Sequence, residues 1–506
     1  MKKQIVFYAW LVLCMLLLMP ALADGHPEAL YPARGENGLW GYIDPTGAFV
    51  ISPQYTAVSP ARGSPMVSGL FMAVSDDGER WGLINDGGEE IFPQEYVITW
   101  NQWDFAIYSF DNEDVTAASA LSNGMQRVGY FNTNYGEFSG FLWKQIALSD
   151  DKMGLMPVSD DSGLWGYANT DLNYGPYETV IPCQFAEAAA FTVNGGEVYD
   201  TGWAVAGYPQ DENGHTEYVL VSSVDGNLVH PPEGYILDIN QPVTENKAII
   251  YTLPMDNAGD DLMESCGFMD TEGNILWLME NEDIDLWPYD GRYCVAYNYL
   301  DGHGRYLDEN GHALEGVYAR PEGYGGYAFC KGITSVFVED HPAAMDDEGN
   351  VLFVMEGENI YWLWNFMDNG LAWYMEKWHG EADERWYEKE KYGLVDRNGN
   401  ILTPSDFWCY EESGAPFSFG LAAVQCIQGD GLYGYLNEQG QWAIEPRFYY
   451  AGEFQDLEDG LAYVKTAPDR HAYIDLQGNE IYAWTTNDAR PYWETDLPKD
   501  TSPDIE

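Results

Sequence analysis

Basic residues are what this sequence has least of: 23 lysines and arginines stand against 82 aspartates and glutamates in 506 residues, a formal net charge of −59. A field of that sign repels phosphate, which argues against nucleic acid and anionic membrane surfaces as partners. Cysteine is also scarce, with seven residues, and no two of them stand at Cys-x-x-Cys spacing, so the zinc and redox signatures are missing. There is no Gly-x-Ser-x-Gly elbow, no His-Glu-x-x-His pair and no glycine loop of the kind that cradles phosphate. The eight histidines are scattered, most of them in turns or linkers. With so many acids, some carboxylate pair falls at glycosidase spacing by chance, so such pairs carry no information. An enzyme is therefore not expected, and no catalytic, cofactor-binding or metal-binding residue is assigned.

Long apolar runs are absent too, except at the start. Lys2 and Lys3 precede an apolar stretch from Ile5 to Met19 and then Pro20-Ala21-Leu22-Ala23, the layout of a secretory signal cleaved after Ala23. The stretch is short of the roughly 20 residues a spanning helix needs. The expected product is secreted or held at the cell envelope, with no integral membrane span after cleavage. Six cysteines remain: Cys183, Cys266, Cys294, Cys330, Cys409 and Cys426. Export permits disulfides, and Cys266 with Cys294 or Cys409 with Cys426 would each pair within one repeat. Buried free thiols are the alternative, because Cys294, Cys330 and Cys426 stand where other copies carry apolar residues.

What the chain has in abundance is one phrase, repeated. Gly38-Leu39-Trp40-Gly41-Tyr42-Ile43-Asp44 with Gly47 returns as Trp81-Gly82-Leu83-Ile84-Asn85 with Gly88, Trp165-Gly166-Tyr167, Tyr392-Gly393-Leu394-Val395-Asp396 with Gly399, and Tyr433-Gly434-Tyr435-Leu436-Asn437 with Gly440. Worn copies end at Asp270, Asp308, Asp346 and Asp475. Asp or Asn followed three residues later by Gly is a hairpin turn signal. A second phrase is a short apolar strand meeting proline, at Pro53, Pro93, Pro182, Pro404 and Pro446, with an aromatic two or three residues on. Proline gives no N–H to a ladder, so it ends the strand or marks an edge. The third phrase is Gly, a bulky apolar residue, then Ala and an alternating tail, as in Gly202-Trp203-Ala204-Val205, Gly420-Leu421-Ala422 and Gly460-Leu461-Ala462. Alternation with period two reads as a half-buried strand.

Each copy thus holds about three strands, and about ten copies recur at a mean of roughly 43 residues, the range of stacked or radial repeats. The pattern resembles the WG β-repeat family, named for its Trp-Gly pair, over nearly all of residues 38–484. The resemblance implies a bacterial, often exported all-β protein, and it carries over no catalytic residue, because that motif packs. The fold class is an all-β tandem array, open or loosely closed as a superhelix, with one or two β-propellers as the alternative. A propeller wants about four strands per blade and typically four to eight blades. The expected division is a signal peptide at 1–23, a lead-in at 24–37, the array at 38–484 with an aromatic and charged insertion near 361–390, and a disordered acidic tail at 485–506.

Tyr392, Tyr433, Val128 and Cys266 take the place of Trp in the Trp-Gly pair. A position that accepts any apolar type is filling space, worth about 1.5–3 kcal/mol per copy. Function is therefore sought where the phrase breaks. In the 361–390 region Trp362, Trp364 and Trp373 alternate as core residues do. Trp378 and Trp386, flanked by charge, are the candidate ligand platform, since exposed aromatics stack on sugar rings or anchor a protein partner. The leading expectation is a non-enzymatic binding scaffold for a protein or carbohydrate ligand. A glycan-active enzyme and a structural, cation-binding surface protein are the alternatives. Weak Ca²⁺ binding fits the charge, but Asp256-Asn257-Ala258-Gly259-Asp260-Asp261 lacks the ligand spacing of an EF-hand loop. Sequencing from the N-terminus of the exported protein should begin at Asp24; material that starts at Met1 and stays with the membrane fraction would contradict the cleavage.

Overall fold

Alternating apolar residues, tight Asx-Gly turns and the lack of helical periodicity leave antiparallel hairpins as the way to pair the backbone. In the computed structural model of the protein, strands are the one regular element among the described residues. Those are residues 29–486 without 59–65, 68–70, 78–79, 101–104, 111–124, 133–135, 148–154, 170–175, 195–197, 201, 212–213, 253–264, 281–283, 320–328, 358, 377–390, 410–413, 428–430 and 456–459. No helix among them is long and apolar enough to cross a membrane.

Among the described residues the strands form five four-stranded sheets, three seven-stranded sheets and one two-stranded hairpin. In each seven-stranded sheet one strand serves two neighbours. Glu90–Trp100 pairs backward through Trp81↔Tyr96 and forward through Val97↔Tyr108, and Ala313–Tyr318 and Ile401–Trp408 do the same. Divided at those strands, the array is eleven units of four strands, with the hairpin Thr192–Asn194 and Val198–Asp200 set into the fifth.

The strand that sequence periodicity misses is the first of each unit. Ala57–Val58, Glu187–Ala188 and Tyr450–Phe454 follow directly on the aromatic of the preceding copy and pair with the next Gly-x-Ala strand. The two-residue pieces Ala57–Val58 and Glu187–Ala188 cannot display a period. The array also begins before residue 38. Ala29–Arg34, inside the stretch read as a lead-in, pairs along Trp40–Ile43 and is the second strand of the first unit; it carries Ala29-Leu30-Tyr31, followed by Pro32, where other copies carry Gly-Leu-Ala. Of the supposed insertion near 361–390, Ile360–Leu363 and Leu371–Glu376 are the first two strands of the ninth unit.

Proline and the Trp-Gly glycine turn out to be two halves of one device. Across Trp40↔Tyr55 and Tyr42↔Ile51 the fourth strand carries two more residues than the third, and the same shift recurs at Trp81/Leu83, Trp165/Tyr167, Tyr392/Leu394 and Tyr433/Tyr435. These five units are the ones with Pro53, Pro93, Pro182, Pro404 and Pro446. The strand therefore does not end at proline. It runs on through a bulge, where the missing N–H costs no ladder bond. The bulge drops a carbonyl onto the residue between the paired positions: a Cβ on Gly41 would stand 2.3 Å from the Ile51 oxygen. In the eleventh unit the ladder runs straight through Ala472↔Ala483 and alanine is accepted, although the straight ladder of the sixth unit also brings a carbonyl, that of Trp277, to 2.1 Å from a Cβ on Gly267.

Successive units bury one face on each neighbour. Ile249, Tyr251 and Phe268 of the sixth unit pack with Leu286 and Tyr289 of the seventh, and Tyr435 and Ile444 of the tenth with Phe454 and Val464 of the eleventh. Two contacts recur at these joints. First, the glycine of each turn lies on the fourth strand of the unit before it, as Gly88 on Ile51, Gly311 on Trp277, Gly399 on Phe353 and Gly478 on Ile444. Second, the tyrosine after the Trp-Gly pair donates its hydroxyl to a backbone carbonyl of the next unit: Tyr167 to Ala189 and Tyr435 to Gly452, both at 2.8 Å.

Both contacts recur between the last unit and the first. A Cβ on Gly47 of the first unit, whose φ is +86°, would stand 2.7 Å from the Ile481 carbonyl oxygen of the eleventh. Tyr473 donates to the Pro32 carbonyl at 2.9 Å, Tyr482 to that of Arg34 at 2.9 Å, and the Leu461 amide donates to the Tyr31 hydroxyl at 2.9 Å. Trp40 meets Trp484 edge to face at 6.0 Å, within one core cluster built from the first, second and eleventh units. The array is a closed ring, the closed form among those the sequence allowed, with four strands per unit as a propeller requires.

Gly434→Ala should destabilise by about 2–4 kcal/mol, the upper part of the range for a single substitution, because the bulge cannot yield. Ala472→Gly should cost about 1 kcal/mol or less. Calorimetric unfolding midpoints of the two variants, read against the parent, check this; equal losses would contradict it.

Candidate functional site

The turns account for part of the acid excess. Asp346 Oδ1 accepts from the Glu348 amide at 3.0 Å and the Asn350 amide at 2.8 Å, while Oδ2 accepts the Asn350 side chain at 3.0 Å. Asp270, Asp396 and Asp475 are built alike. Asn437 serves the same purpose without charge, accepting from Gln439 and Gln441. Burial pulls the Asp346 pKa upward, but the Asn350 side chain and the three turn amides together outweigh it and hold the carboxyl below its ordinary value. These carboxylates are structural, tied up by their own loops.

A different set of acids faces tyrosines. Glu187, on the first strand of the fifth unit, accepts the Tyr218 hydroxyl at 2.6 Å. Burial first, then that bond and the charges of Glu187 and Asp238, push Tyr218 up to about 12. Asp238 follows the first strand of the sixth unit, and with Asp285 it adds to the burial that raises Tyr251. Asp285, on the first strand of the seventh unit, accepts from Tyr299 at 3.4 Å and is raised by burial foremost and by Asp238. Three successive units thus contribute one carboxylate each, alternating with phenols, and Tyr299 is well exposed. Carboxylate acceptors beside phenol donors suit sugar hydroxyls or a cationic side chain. Sequence reading could not find this track, since its members lie far apart in the chain and come together through unit stacking.

The sequence-predicted platform residues Trp378 and Trp386 lie outside the described residues. Trp362 and Trp373 are buried in the core between units, and Trp364 packs against it, as their alternation indicated. Cys266 and Cys294 share the cluster between the sixth and seventh units without a disulfide between them, and Cys183, Cys330, Cys409 and Cys426 are not disulfide-bonded either. Burial pushes the Cys266, Cys294 and Cys409 thiols up to about 12. Among the described residues no three His, Cys, Asp or Glu side chains are grouped to hold a metal ion.

One further surface is apolar. Most fourth strands are edges guarded in one of the ways natural sheets use, but Ile275, Leu276 and Leu278 of the sixth unit and Val351, Leu352 and Val354 of the eighth are exposed.

Comparison with known proteins agrees with the repeat. The family described as WG containing repeat matches residues 40–63 and 433–466. These segments hold the third and fourth strands of the first unit, and the stretch from the third strand of the tenth unit into the eleventh. Among curated proteins nothing matches. Of solved structures, BamB from Moraxella catarrhalis is similar over 68% of this chain and 96% of its own, at 15% identity and a TM-score of 0.29. A eukaryotic initiation factor is similar over 91% of this chain and 96% of its own, at 10% identity and a TM-score of 0.35. AztD from Citrobacter koseri is similar over 59% and 88%, at 13% identity and 0.28. None of these three likenesses bears on activity.

The turn carboxylates make a pH prediction. A group whose folded pKa lies below its unfolded value adds stability above the unfolded pKa and loses it as pH falls through the folded one. Asp346→Asn keeps the acceptor oxygen and removes the titration. The melting temperature of the parent should exceed that of the variant near neutral pH, and the gap should close below about pH 4. A gap independent of pH would show that the charge contributes nothing.

Proposed function

For a chain built on WG repeats, we propose a role as a non-enzymatic binding scaffold that acts outside the cell or at its envelope, holding a protein or carbohydrate ligand. The observation that carries this reading is the ring closure. Closed units hold their first strands and edges in fixed relative positions, so groups from successive units, such as Glu187, Asp238 and Asp285, present one preorganised track. The acid-rich surface keeps an apolar-rich array soluble and favours cationic or hydroxyl-rich ligands.

A glycan-active enzyme is the second reading, favoured by one observation. Asp285 stands beside a second carboxylate, Asp238, and its own carboxyl is raised, by burial foremost, as suits a general acid. Incubating the mature protein with purified cell wall, a glycan array and a panel of extracellular proteins separates the two. The scaffold reading expects retention without release of reducing sugar, weakened at least about tenfold by combining Tyr218→Phe with Tyr299→Ala, a loss of the size of one or two hydrogen bonds. Sugar release abolished by Asp285→Asn would replace it with the enzyme.

A further inference from the structure

Apart from Glu90–Trp100, Ala313–Tyr318 and Ile401–Trp408, which pair on both sides, fourth strands are the outer edges of their sheets, and an exposed edge offers unpaired N–H and C=O groups to any extended chain. The first, fourth and tenth units guard theirs with a proline bulge. In the third and fifth units the edge is two residues long, Glu137–Phe138 and Leu228–Val229. The eleventh unit's edge carries the seam with the first. Ile275–Glu280 in the sixth unit has none of these protections. It is six residues long, ends its sheet, pairs on one side only among the described residues, and leaves Ile275, Leu276 and Leu278 about 40% exposed.

We propose that this edge takes up an extended polypeptide segment as a fifth strand, and that the segment is apolar in its centre and basic at its ends. The inference deepens the scaffold reading and rests on it. Charge complementarity names the partner. Exposed Glu272 precedes the apolar run and exposed Glu280 closes it, and the turn of the seventh unit that seats Gly311 on Trp277 adds Asp308 and Glu309. Lysine or arginine at each end of an incoming strand meets these carboxylates, while main-chain bonds supply a ladder and the alternate side chains meet the exposed leucines. A second copy of this chain would bring the same carboxylates against each other, within a total charge of −59 per chain. The Val351–Val354 edge of the eighth unit is as apolar and is also flanked by exposed acids, Glu348 and Glu356, but it is four residues long rather than six and the next unit's turn there carries Arg397. It is the weaker complement to a basic segment and serves as the comparison.

The probe is a fluorescein-labelled peptide, Lys-Lys-Val-Thr-Val-Thr-Val-Lys-Lys, read by anisotropy in about 0.15 M salt, where exposed charges beyond about 8 Å are screened. The full mature protein should bind it, and methylating alternate backbone nitrogens of the peptide should weaken binding at least about tenfold, the effect of losing main-chain bonds at unchanged charge. Leu276→Lys with Leu278→Lys should do the same. Leu352→Lys with Val354→Lys, which changes the protein's charge equally, should leave affinity within about twofold, inside the scatter expected of an unrelated surface site. No binding by the parent, equal binding of the methylated peptide, or equal losses from the two double variants would overturn the proposal. The glycan and cell-wall retention assay stands apart from these outcomes, so failure of the edge and failure of the scaffold reading are distinguishable. Unchanged melting temperatures confirm that the double variants fold.

Discussion

Among the described residues, nine of the eleven joints rest on one seat: a turn whose glycine lies directly on the fourth strand of the unit before it. The Asp or Asn that opens the turn fixes its shape by accepting from amides two and four residues on, and the glycine lets backbone approach backbone. At Gly47 any side chain would meet the Ile481 carbonyl, and the left-handed backbone would be strained besides. Because units touch mainly their neighbours, the same seat repeated is enough to set the rotation from each unit to the next. When the eleventh step brings Ile481 under Gly47, the rotation has summed to a full turn.

Closure changes what the rest of the surface means. An open array leaves two terminal faces that must be capped, whereas here Tyr31, Trp40, Tyr463, Tyr473 and Trp484 fuse the ends into a core of their own. His471 lies inside that seam, stacked on Trp484 at 5.4 Å and bonded to Tyr463 and Thr486. With the faces consumed by packing, what remains for ligands is the track of carboxylates and phenols across the fifth to seventh units, and the sheet edges. Proline bulges guard three of those edges. The unguarded six-residue edge in the sixth unit thus stands out, with the shorter Val351–Val354 edge as its counterpart.

The repeat and its turns were legible in the residues, because Asp-x-x-Gly and period-two alternation are local. Trp-Gly as packing was legible too, since Cys266 and Val128 occupy the same buried position as Trp40. The link between proline and that glycine was not, although both are conspicuous: it exists only when a bulge in one strand meets the middle of another. The first strand of each unit was hidden by its brevity, and Ala29–Arg34 by Tyr31-Pro32. Of the candidate site almost nothing was legible. Glu187, Asp238 and Asp285 belong to three different copies, and no local pattern joins acids that meet only through stacking.

Closure is the central claim, and the Leu461 amide reports on it directly. It donates to Tyr31 across a separation of 430 residues, so no open form of the array retains that bond. Native-state hydrogen exchange should find this amide protected, and Tyr31→Phe should accelerate it about tenfold, the factor for one buried hydrogen bond, while Ile250 in the sixth unit exchanges as before. Fast exchange at Leu461 in the parent, or a rate indifferent to Tyr31→Phe, would contradict the closed ring.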